Sequence, residues 1–273
     1  MSQTEPAIRI RGVSKKFRLH QDRPRTLKER FLQVGKSSSA DFWALREINL
    51  DVLKGRTVGL IGRNGSGKST LLKIMSRILY PETGTVSVSG RVSCLLELGA
   101  GFHPDFTGRE NIYTNAAIFG LSRREVRSKI GDIVRFAELE NFVDSPVRTY
   151  SSGMYMRLAF AVAIHIEPTL LLVDEILAVG DENFQHKCID KLKSFKNQGI
   201  TTVIVTHNLK TIREFCDEVH WLESGSLQMG GTVDSVVDGY LYFMKTLENG
   251  HRQLGNDPLP APIRQSGTER NTQ

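Results

Sequence analysis

The chain has 273 residues, of which 40% are hydrophobic and 24% charged, and it carries a net charge of +6 at pH 7. This composition is typical of a soluble protein with enough length for one large domain or two small ones. The longest apolar runs, 158–164 and 170–173, are far shorter than the roughly 20 residues of a membrane-spanning helix, and the N-terminus has no secretory-signal pattern, so we expect neither feature.

The positive charge is concentrated near the N-terminus, where residues 1–42 hold ten Lys or Arg and four acidic residues. A local basic excess of this kind can face nucleic acid, anionic lipid or only solvent. Residues 7–12 and 48–53 alternate apolar and polar side chains, which predicts two half-buried strands. Between them, residues 18–42 are predicted to form an insert.

The insert has a helical pattern of its own. Leu27, Phe31 and Val34 are spaced four and three residues apart, so they would share one face of a helix. The same segment carries several cations, namely Arg25, Lys28, Arg30 and Lys36. Such a helix could lie on an anionic membrane surface or pack its apolar face on the protein's own core, and the sequence leaves both open.

The clearest motif is the stretch 62–70, G-R-N-G-S-G-K-S-T, which matches the phosphate-binding P-loop G-x-x-x-x-G-K-[ST]. A predicted buried strand, 57–61, precedes it and a predicted helix, 70–75, follows, which is the context that the motif requires. Its glycines allow backbone N–H groups to point at phosphates, and the helix N-terminus adds a positive dipole. Lys68 can reach the β- and γ-phosphates and Ser69 can ligate Mg²⁺. We expect nucleotide binding by Gly62, Arg63, Asn64, Gly65, Ser66, Gly67, Lys68, Ser69 and Thr70.

The middle of the chain changes from strand to helix patterns. Residues 84–98 predict a β-hairpin with its turn at Gly90-Arg91, and residues 108–143 predict helices. The sequence Tyr150-Ser151-Ser152-Gly153-Met154 then precedes an apolar helical run. Two hydroxyls and a glycine at a helix N-terminus can form a second anion site, and they can equally serve as a capping turn.

Two further predicted strands are followed by polar side chains at their carboxyl ends, where open α/β sheets bind ligands. The apolar run 170–173 is followed by Asp174, a candidate Mg²⁺ ligand, and Glu175, a candidate general base that polarises the attacking water. The run 202–205 is followed by His207, which could reach the γ-phosphate from the same sheet edge.

Short runs rich in branched apolar residues are typical of buried parallel strands, and here they alternate with helices. The sequence therefore predicts an α/β fold with a mostly parallel sheet. Near the C-terminus, a strand at 219–222 precedes a helix predicted over 232–247. Residues 246–273, which are polar and poor in large apolar side chains from Asn249 onward, are predicted as a disordered tail.

The order of these motifs resembles the nucleotide-binding subunit of an ABC transporter over residues 7–245. The resemblance implies a P-loop NTPase core formed by 1–95 and 165–245, with a mostly parallel sheet, an antiparallel β part and a helical subdomain at 96–164. It also implies that two copies face head to tail, with Ser151, Ser152 and Gly153 acting on the partner's ATP. In that family this signature loop reads L-S-G-G-Q, and Ser152 and Met154 depart from it.

The resemblance implies three more site residues. Asp181 matches the aspartate of the family's D-loop, and Phe17 falls where the family has an adenine-stacking aromatic residue, although a core position for Phe17 stays open. The family has a glutamine that ligates Mg²⁺ and contacts the membrane partner. This chain has no glutamine there, and Glu97 has the nearest suitable oxygen.

A narrower resemblance to exporters of polysaccharides and teichoic acids rests on the loop 97–102, the signature at 150–154, Val179-Gly180-Asp181 and the insert before Trp43. It implies an ATPase with ATP and Mg²⁺ that works as a homodimer on a separate membrane-spanning permease, whose cargo is a lipid-linked glycan. The subunit would be peripheral at the cytoplasmic face of the membrane, without a nucleic-acid partner. The short tail leads us to expect no appended carbohydrate-binding domain.

Two alternatives remain at this point. One is a soluble ABC-type ATPase that acts on nucleic acid or ribosomes; the single P-loop and the absence of a heptad run oppose it. The other is the ATPase subunit of a small-solute importer, which the loop 97–102 opposes.

Overall fold

The computed structural model describes residues 5–20, 39–96, 98–174 and 180–255. Glu97, Glu175 and the helix predicted around Phe31 therefore lie outside the described residues. The chain divides into two compact units, residues 1–237 and 238–273. All of the strands and the described site residues belong to the first unit.

The central sheet has the strand order β5-β6-β7-β3-β8-β9 within the described residues. Its strands are β3 (Thr57–Ile61), β5 (Val92–Cys94), β6 (Leu170–Asp174), β7 (Thr201–Val205), β8 (Glu218–Glu223) and β9 (Ser226–Gly231). All neighbours run parallel except β9, which is antiparallel to β8. The strands β3 and β7 are buried along their whole length, as expected for strands covered on both faces. The predicted mostly parallel α/β fold is confirmed.

A second, antiparallel sheet has the order β2-β1-β4, with β1 (Pro6–His20), β2 (Ser39–Leu53) and β4 (Thr83–Val88). Both β1 and β2 have 15 residues and run well beyond the predicted strands. They continue into residues 18–20 and 39–42, so the insert predicted at 18–42 is shorter than expected at both ends. The reason is that the two arms pair with each other, from Pro6 with Leu53 to His20 with Ser39.

The hairpin predicted over 84–98 is wrong. The strand β4 pairs with β1 in the antiparallel sheet, while β5 pairs with β6 in the parallel sheet. The chain changes sheets at Gly90, which has a φ of 93°. A Cβ atom there would lie 2.1 Å from Oγ1 of Thr169. Alternating strands around a turn look alike in sequence whether or not they pair with each other.

The helices are α1 (Lys68–Met75), α2 (Gly108–Ile118), α3 (Arg123–Ala137), α4 (Ser152–His165), α5 (Glu182–Asn197), α6 (Leu209–Phe215) and α7 (Val233–Gly255). The helices α2 and α3 both begin with a capping box, in which a hydroxyl and a glutamate satisfy N-terminal N–H groups reciprocally. One core lies between the two sheets and α1, and α2, α3 and α4 pack around a separate core that includes Ile112 and Leu158.

The last described helix, α7, spans the boundary between the two compact units. It extends to Gly255, which is eight residues beyond the predicted end of the helix. The first ten residues of the tail predicted at 246–273 are therefore helical, as a continuation of the helix that begins at Val233. No helix in the part of the chain that is described combines the length and the apolarity needed to cross a bilayer.

Candidate functional site

Three neighbouring strands of the central sheet end at one cavity. The strand β3 leads directly into the P-loop. Asp174 is the last residue of β6, and it lies opposite Val205, the last residue of β7. The cavity has a volume of about 480 Å³. Its walls are formed by the P-loop and both sheets, namely Phe17, Phe42, Ala44, Asn64, Gly65, Ser66, Gly67, Lys68, Ser69, Thr70, Leu96, Asp174 and Val205. The fold thus brings the predicted phosphate loop and the first predicted acid together.

Two positions of the P-loop require glycine, because at each of them a Cβ atom would clash with a different backbone carbonyl oxygen. Gly62 has a φ of 148°, and a Cβ atom on it would lie 2.0 Å from the carbonyl oxygen of Leu222. Gly67 is the N-cap of α1 with a φ of 106°, and its Cβ would lie 2.5 Å from the carbonyl oxygen of Ala44. No side chain caps α1 and its first turn has no acidic residue. Its N-terminal N–H groups are therefore suited to an anion from outside the helix.

Lys68 is almost fully buried, with 8% of its surface exposed, and it lines the cavity. Its Nζ donates hydrogen bonds of 2.8 Å to the carbonyl oxygens of Gly62 and Arg63. These contacts offset the cost of burying the ammonium group and hold it inside the loop. The arrangement presents a fixed positive charge beside the N-terminus of α1.

Ser69 and Asp174 both line the cavity, which places a hydroxyl and a carboxylate at the same site. These hard oxygen donors suit Mg²⁺, which proteins usually hold through one or two side chains together with substrate phosphates. The described residues contain no cluster of three or more His, Cys, Asp or Glu, so a metal cage made of protein alone is absent from them. The donor set therefore fits Mg²⁺ bound with a phosphate-containing ligand.

Two phenylalanines form an aromatic wall of the cavity. Phe17 and Phe42 lie opposite each other on β1 and β2, and the two residues are 37% and 47% exposed. This exposure removes the alternative of a core position for Phe17. Phe42 was missed by sequence reasoning, because its place opposite Phe17 depends on the strand register. The ammonium group of Lys15 lies 5.7 Å from the Phe17 ring centroid.

His207 follows β7 by two residues and is exposed. It lies at the same end of the sheet as Asp174, but it is not among the residues that line the cavity. The chain turns sharply after it, because Asn208 begins α6 by accepting hydrogen bonds from the N–H groups of Lys210 and Thr211.

The signature residues lie at the start of α4, and the P-loop cavity of the same subunit does not include them. The hydroxyl of Ser151 accepts a hydrogen bond of 3.2 Å from the N–H of Met154, so it caps the helix. Ser151 and Ser152 are exposed. A Cβ atom on Gly153 would meet only the hydroxyl of Ser151, at 3.9 Å. The fold of one subunit therefore gives no steric reason for glycine at this position.

Asp181, the predicted D-loop residue, is tied to the signature helix through Arg157. Asp181 caps α5 by accepting a hydrogen bond of 2.9 Å from the N–H of Phe184. Arg157 forms ion pairs with Asp181 and, at 2.8 Å, with Glu138, and its guanidinium lies 5.2 Å from the Phe184 ring centroid. Sequence reasoning missed Arg157, since nothing local indicates these partners.

The loop after β5 also contacts the signature helix. The hydroxyl of Tyr155 donates a hydrogen bond of 2.9 Å to the carbonyl oxygen of Gly99, and the Tyr155 and Phe102 ring centroids are 5.3 Å apart. Burial raises the pKa of Tyr155 above its ordinary value. Since Leu96 lines the cavity, this short loop connects the cavity wall with α4.

Comparison with protein families matches residues 45–178 to a family described as ABC transporter. The chain is 51% identical to an O-antigen export system ATP-binding protein of Myxococcus xanthus over 88% of its own length and 56% of the relative's. A protein of the same description from Klebsiella pneumoniae is 42% identical over 86% of this chain and 98% of the relative. A teichoic acids export ATP-binding protein of Levilactobacillus brevis is 43% identical over 87% of this chain and 65% of the relative.

Solved structures are similar in fold. A dimeric ATP-binding cassette in a post-hydrolysis state, bound to ADP and phosphate, superposes with a TM-score of 0.66 over 83% of this chain and 98% of that chain. A structure described as the ATP-binding subunit of an ABC transporter gives a TM-score of 0.69. Their sequence identities of 22% and 23% support likeness of fold alone.

Proposed function

The chain belongs to the ABC transporter family as an ATPase, and we propose that it powers the export of a lipid-linked polysaccharide across a membrane. The observation that carries the ATP-binding part of the proposal is the meeting of the P-loop, Asp174 and two exposed phenylalanines at one cavity. Each group there suits one part of ATP.

In this proposal the phosphates of ATP bind to the P-loop N–H groups, the N-terminus of α1 and Lys68. The rings of Phe17 and Phe42 are available to stack on the adenine. Ser69 and Asp174 would hold Mg²⁺, with Glu97 as a further oxygen donor, and the ion would neutralise charge that develops on the phosphates. Glu175 would take a proton from the attacking water, and His207 would contact the γ-phosphate.

We further propose that the active form is a homodimer. The exposed N-terminus of α4 lies outside its own subunit's cavity, and Gly153 has open space around it. Both facts suit a loop whose ligand belongs to another subunit. The ATP of one subunit would then lie between its own P-loop and the partner's Ser151, Ser152 and Gly153, with Asp181 near the same interface.

A membrane-spanning permease would receive the movement that ATP binding and hydrolysis cause in the dimer. A second cavity, of about 370 Å³, lies between α2, α4 and the loop after β5, and its walls include Ile78, Leu98, Ile118 and Phe119. Ile118 is 65% exposed, which is unusual for so large an apolar side chain. This groove, with Phe102 and His103 close to it in the chain, suits an apolar segment of a permease. The subunit would then be peripheral at the cytoplasmic face of the membrane.

The cargo is inferred from relatives. Proteins 40–51% identical to this chain over most of its length are described as O-antigen or teichoic acid export ATP-binding proteins. The resemblance to exporters of polysaccharides and teichoic acids implies that cargoes of this kind are linked to a lipid. We therefore favour a lipid-linked polysaccharide over a small solute as the transported substrate.

The enzymatic step is tested with Glu175→Gln. This variant should bind ATP normally and lose about 10²- to 10⁴-fold in turnover, as expected for removal of a general base. With ATP and Mg²⁺ it should also shift from monomer to dimer in light scattering. Glu182→Gln, which neutralises an exposed carboxylate in the first turn of α5, should leave turnover unchanged. Full turnover in Glu175→Gln would remove this residue from the mechanism.

The cargo is tested in cells that rely on this chain. Replacing Lys68 by Ala should deplete polysaccharide at the cell surface, while lipid-linked polymer accumulates inside. A defect confined to the uptake of a small solute would contradict the export proposal and leave the ATPase assignment intact.

A further inference from the structure

The turn between β8 and β9, residues 223–226, lies against the outside of the P-loop. The strand β8 runs parallel to β3, with Trp221 opposite Ile61 at the end of β3, and β8 continues two residues further to Glu223. The N–H of Gly225 donates a hydrogen bond of 3.0 Å to the carbonyl oxygen of Ser66. On its other side, the carbonyl oxygen of Gly225 accepts a hydrogen bond of 2.8 Å from the N–H of Arg46. The turn is thus fixed to β2 and to the loop at once.

The first residue of this turn is an acid with an unusual environment. The side chain of Glu223 is only 16% exposed, and its Oε1 lies 3.7 Å from a guanidinium nitrogen of Arg63. Its other oxygen, Oε2, is buried and has no hydrogen-bond partner among the described residues. A buried carboxylate oxygen without a partner is destabilising, so stability of the hairpin alone does not account for a glutamate here.

Arg63 connects this acid to the phosphate-binding lysine. Its side chain faces Glu223, while its carbonyl oxygen accepts hydrogen bonds of 2.8 Å from Nζ of Lys68 and 3.1 Å from the N–H of Ser66. Displacing the Arg63 peptide would therefore displace both the ammonium group and the backbone at the centre of the loop. The contact of Gly225 with Ser66 acts on the same stretch.

We propose that Glu223 is a positioning residue for the P-loop, which acts on ATP through Arg63 and does not touch the nucleotide. Its carboxylate holds the guanidinium of Arg63 on the outer side of the loop, so that the Arg63 carbonyl stays where it fixes Lys68. The inference rests on the proposed function because ATP is taken as the ligand. We expect Glu223 to affect nucleotide binding, since the P-loop would bind the phosphates of ATP both before and during hydrolysis.

The test compares Glu223→Gln with the wild-type chain by calorimetric titration with ATP and Mg²⁺, steady-state hydrolysis and thermal unfolding. Glu223→Gln keeps the shape of the side chain and removes its charge. Kd and KM for ATP should rise about two- to five-fold, the range expected for loss of a partly exposed ion pair. The kcat should stay within about two-fold, since the interaction is the same in the ground and transition states. Glu218→Gln, at the other end of β8 and paired with His220, is the matched control and should bind ATP normally.

A double-mutant cycle decides whether the effect passes through Arg63. In an Arg63→Ala background, Glu223→Gln should cause no further loss of ATP affinity. Unchanged Kd in Glu223→Gln, a fully additive effect in the double variant, or a loss confined to melting temperature would each overturn the positioning role. A wild-type chain that fails to bind ATP would instead overturn the proposed function, and this inference with it.

Discussion

Arg157 and Asp181 form an ion pair that joins the second turn of α4 to the residue that caps α5. The arginine is 20% exposed and also holds Glu138, the residue that ends α3. Three helices therefore meet at one guanidinium. Since the proposed signature loop opens α4 and the proposed D-loop precedes α5, this ion pair fixes the distance between two segments that would both face the partner subunit.

The first prediction follows from that connection. Arg157→Gln should leave ATP binding to the monomer unchanged and should weaken the ATP-dependent dimer, measured by light scattering in the Glu175→Gln background. Arg157→Lys should give an intermediate result, because an ammonium lacks the planar fork that reaches two carboxylates together. Lys187→Gln, which removes only one contact of Glu138, is the control. Dimers of wild-type strength in Arg157→Gln would refute this role.

The second prediction concerns Gly153. Gly153→Asp should fold normally, since the structure leaves space for a side chain there, but it should prevent dimer formation with ATP. The reason is repulsion between the new carboxylate and the γ-phosphate held by the other subunit. Gly153→Ala adds a methyl group without charge and should impair the dimer less. Sizing of both variants in the presence of ATP and Mg²⁺ decides the matter, and a persisting Gly153→Asp dimer would count against the proposed arrangement.

The third prediction concerns the aromatic wall. Phe17→Ala and Phe42→Ala should each weaken ATP binding about two- to ten-fold, because aromatic stacking contributes about 0.5–1.5 kcal/mol. Phe17→Tyr keeps the π-face and should bind ATP nearly as well as the wild type. Phe142→Ala, which truncates another exposed phenylalanine, serves as the control. If ATP affinity is the same in all four variants, the adenine does not stack on these rings.

The fourth prediction is a pH dependence of stability. Burial lowers the pKa of His165, and its Nδ1 donates a hydrogen bond of 2.7 Å to the Ala161 carbonyl, which acts in the opposite direction. The unfolded chain therefore takes up a proton first as the pH falls below about 6.5. The free energy of unfolding should fall as the pH is lowered from 7.5 to 5.5. His165→Gln should reduce this difference in urea titrations, and an unchanged difference would show that other groups cause it.

The fifth prediction concerns Arg25, Lys28 and Arg30 of the basic insert, which lie outside the described residues. Replacing Arg25, Lys28 and Arg30 by Gln should spare the basal ATPase and lower both glycan export and stimulation by lipid-linked substrate. Each cation at an anionic lipid surface contributes about 1 kcal/mol. The control removes the same charge from the exposed face of α3, through Arg123→Gln, Arg124→Gln and Arg127→Gln. Export at wild-type levels with a lowered melting temperature would mean that the insert is structural.

The positions of the phosphate loop, of the acid after β6 and of the histidine after β7 follow from short local patterns in the sequence, and their roles toward ATP stay predictions. These groups were predictable because each depends on residues next to one another in the chain: a glycine-rich turn between a strand and a helix, or a polar residue directly after a buried apolar run. The parallel sheet followed from the same runs, and it places their carboxyl ends at one edge.

Contacts between residues far apart in the chain could not be predicted from local patterns. The separation of β4 from β5, the position of Phe42 opposite Phe17 and the contact of Glu223 with Arg63 all depend on strand pairing across long stretches of chain. The bond between Arg157 and Asp181 depends likewise on helix packing. A local pattern fixes which face of an element is apolar. Which partner covers that face is set by the packing of the whole domain, since many pairings bury similar apolar area and only one satisfies all elements at once.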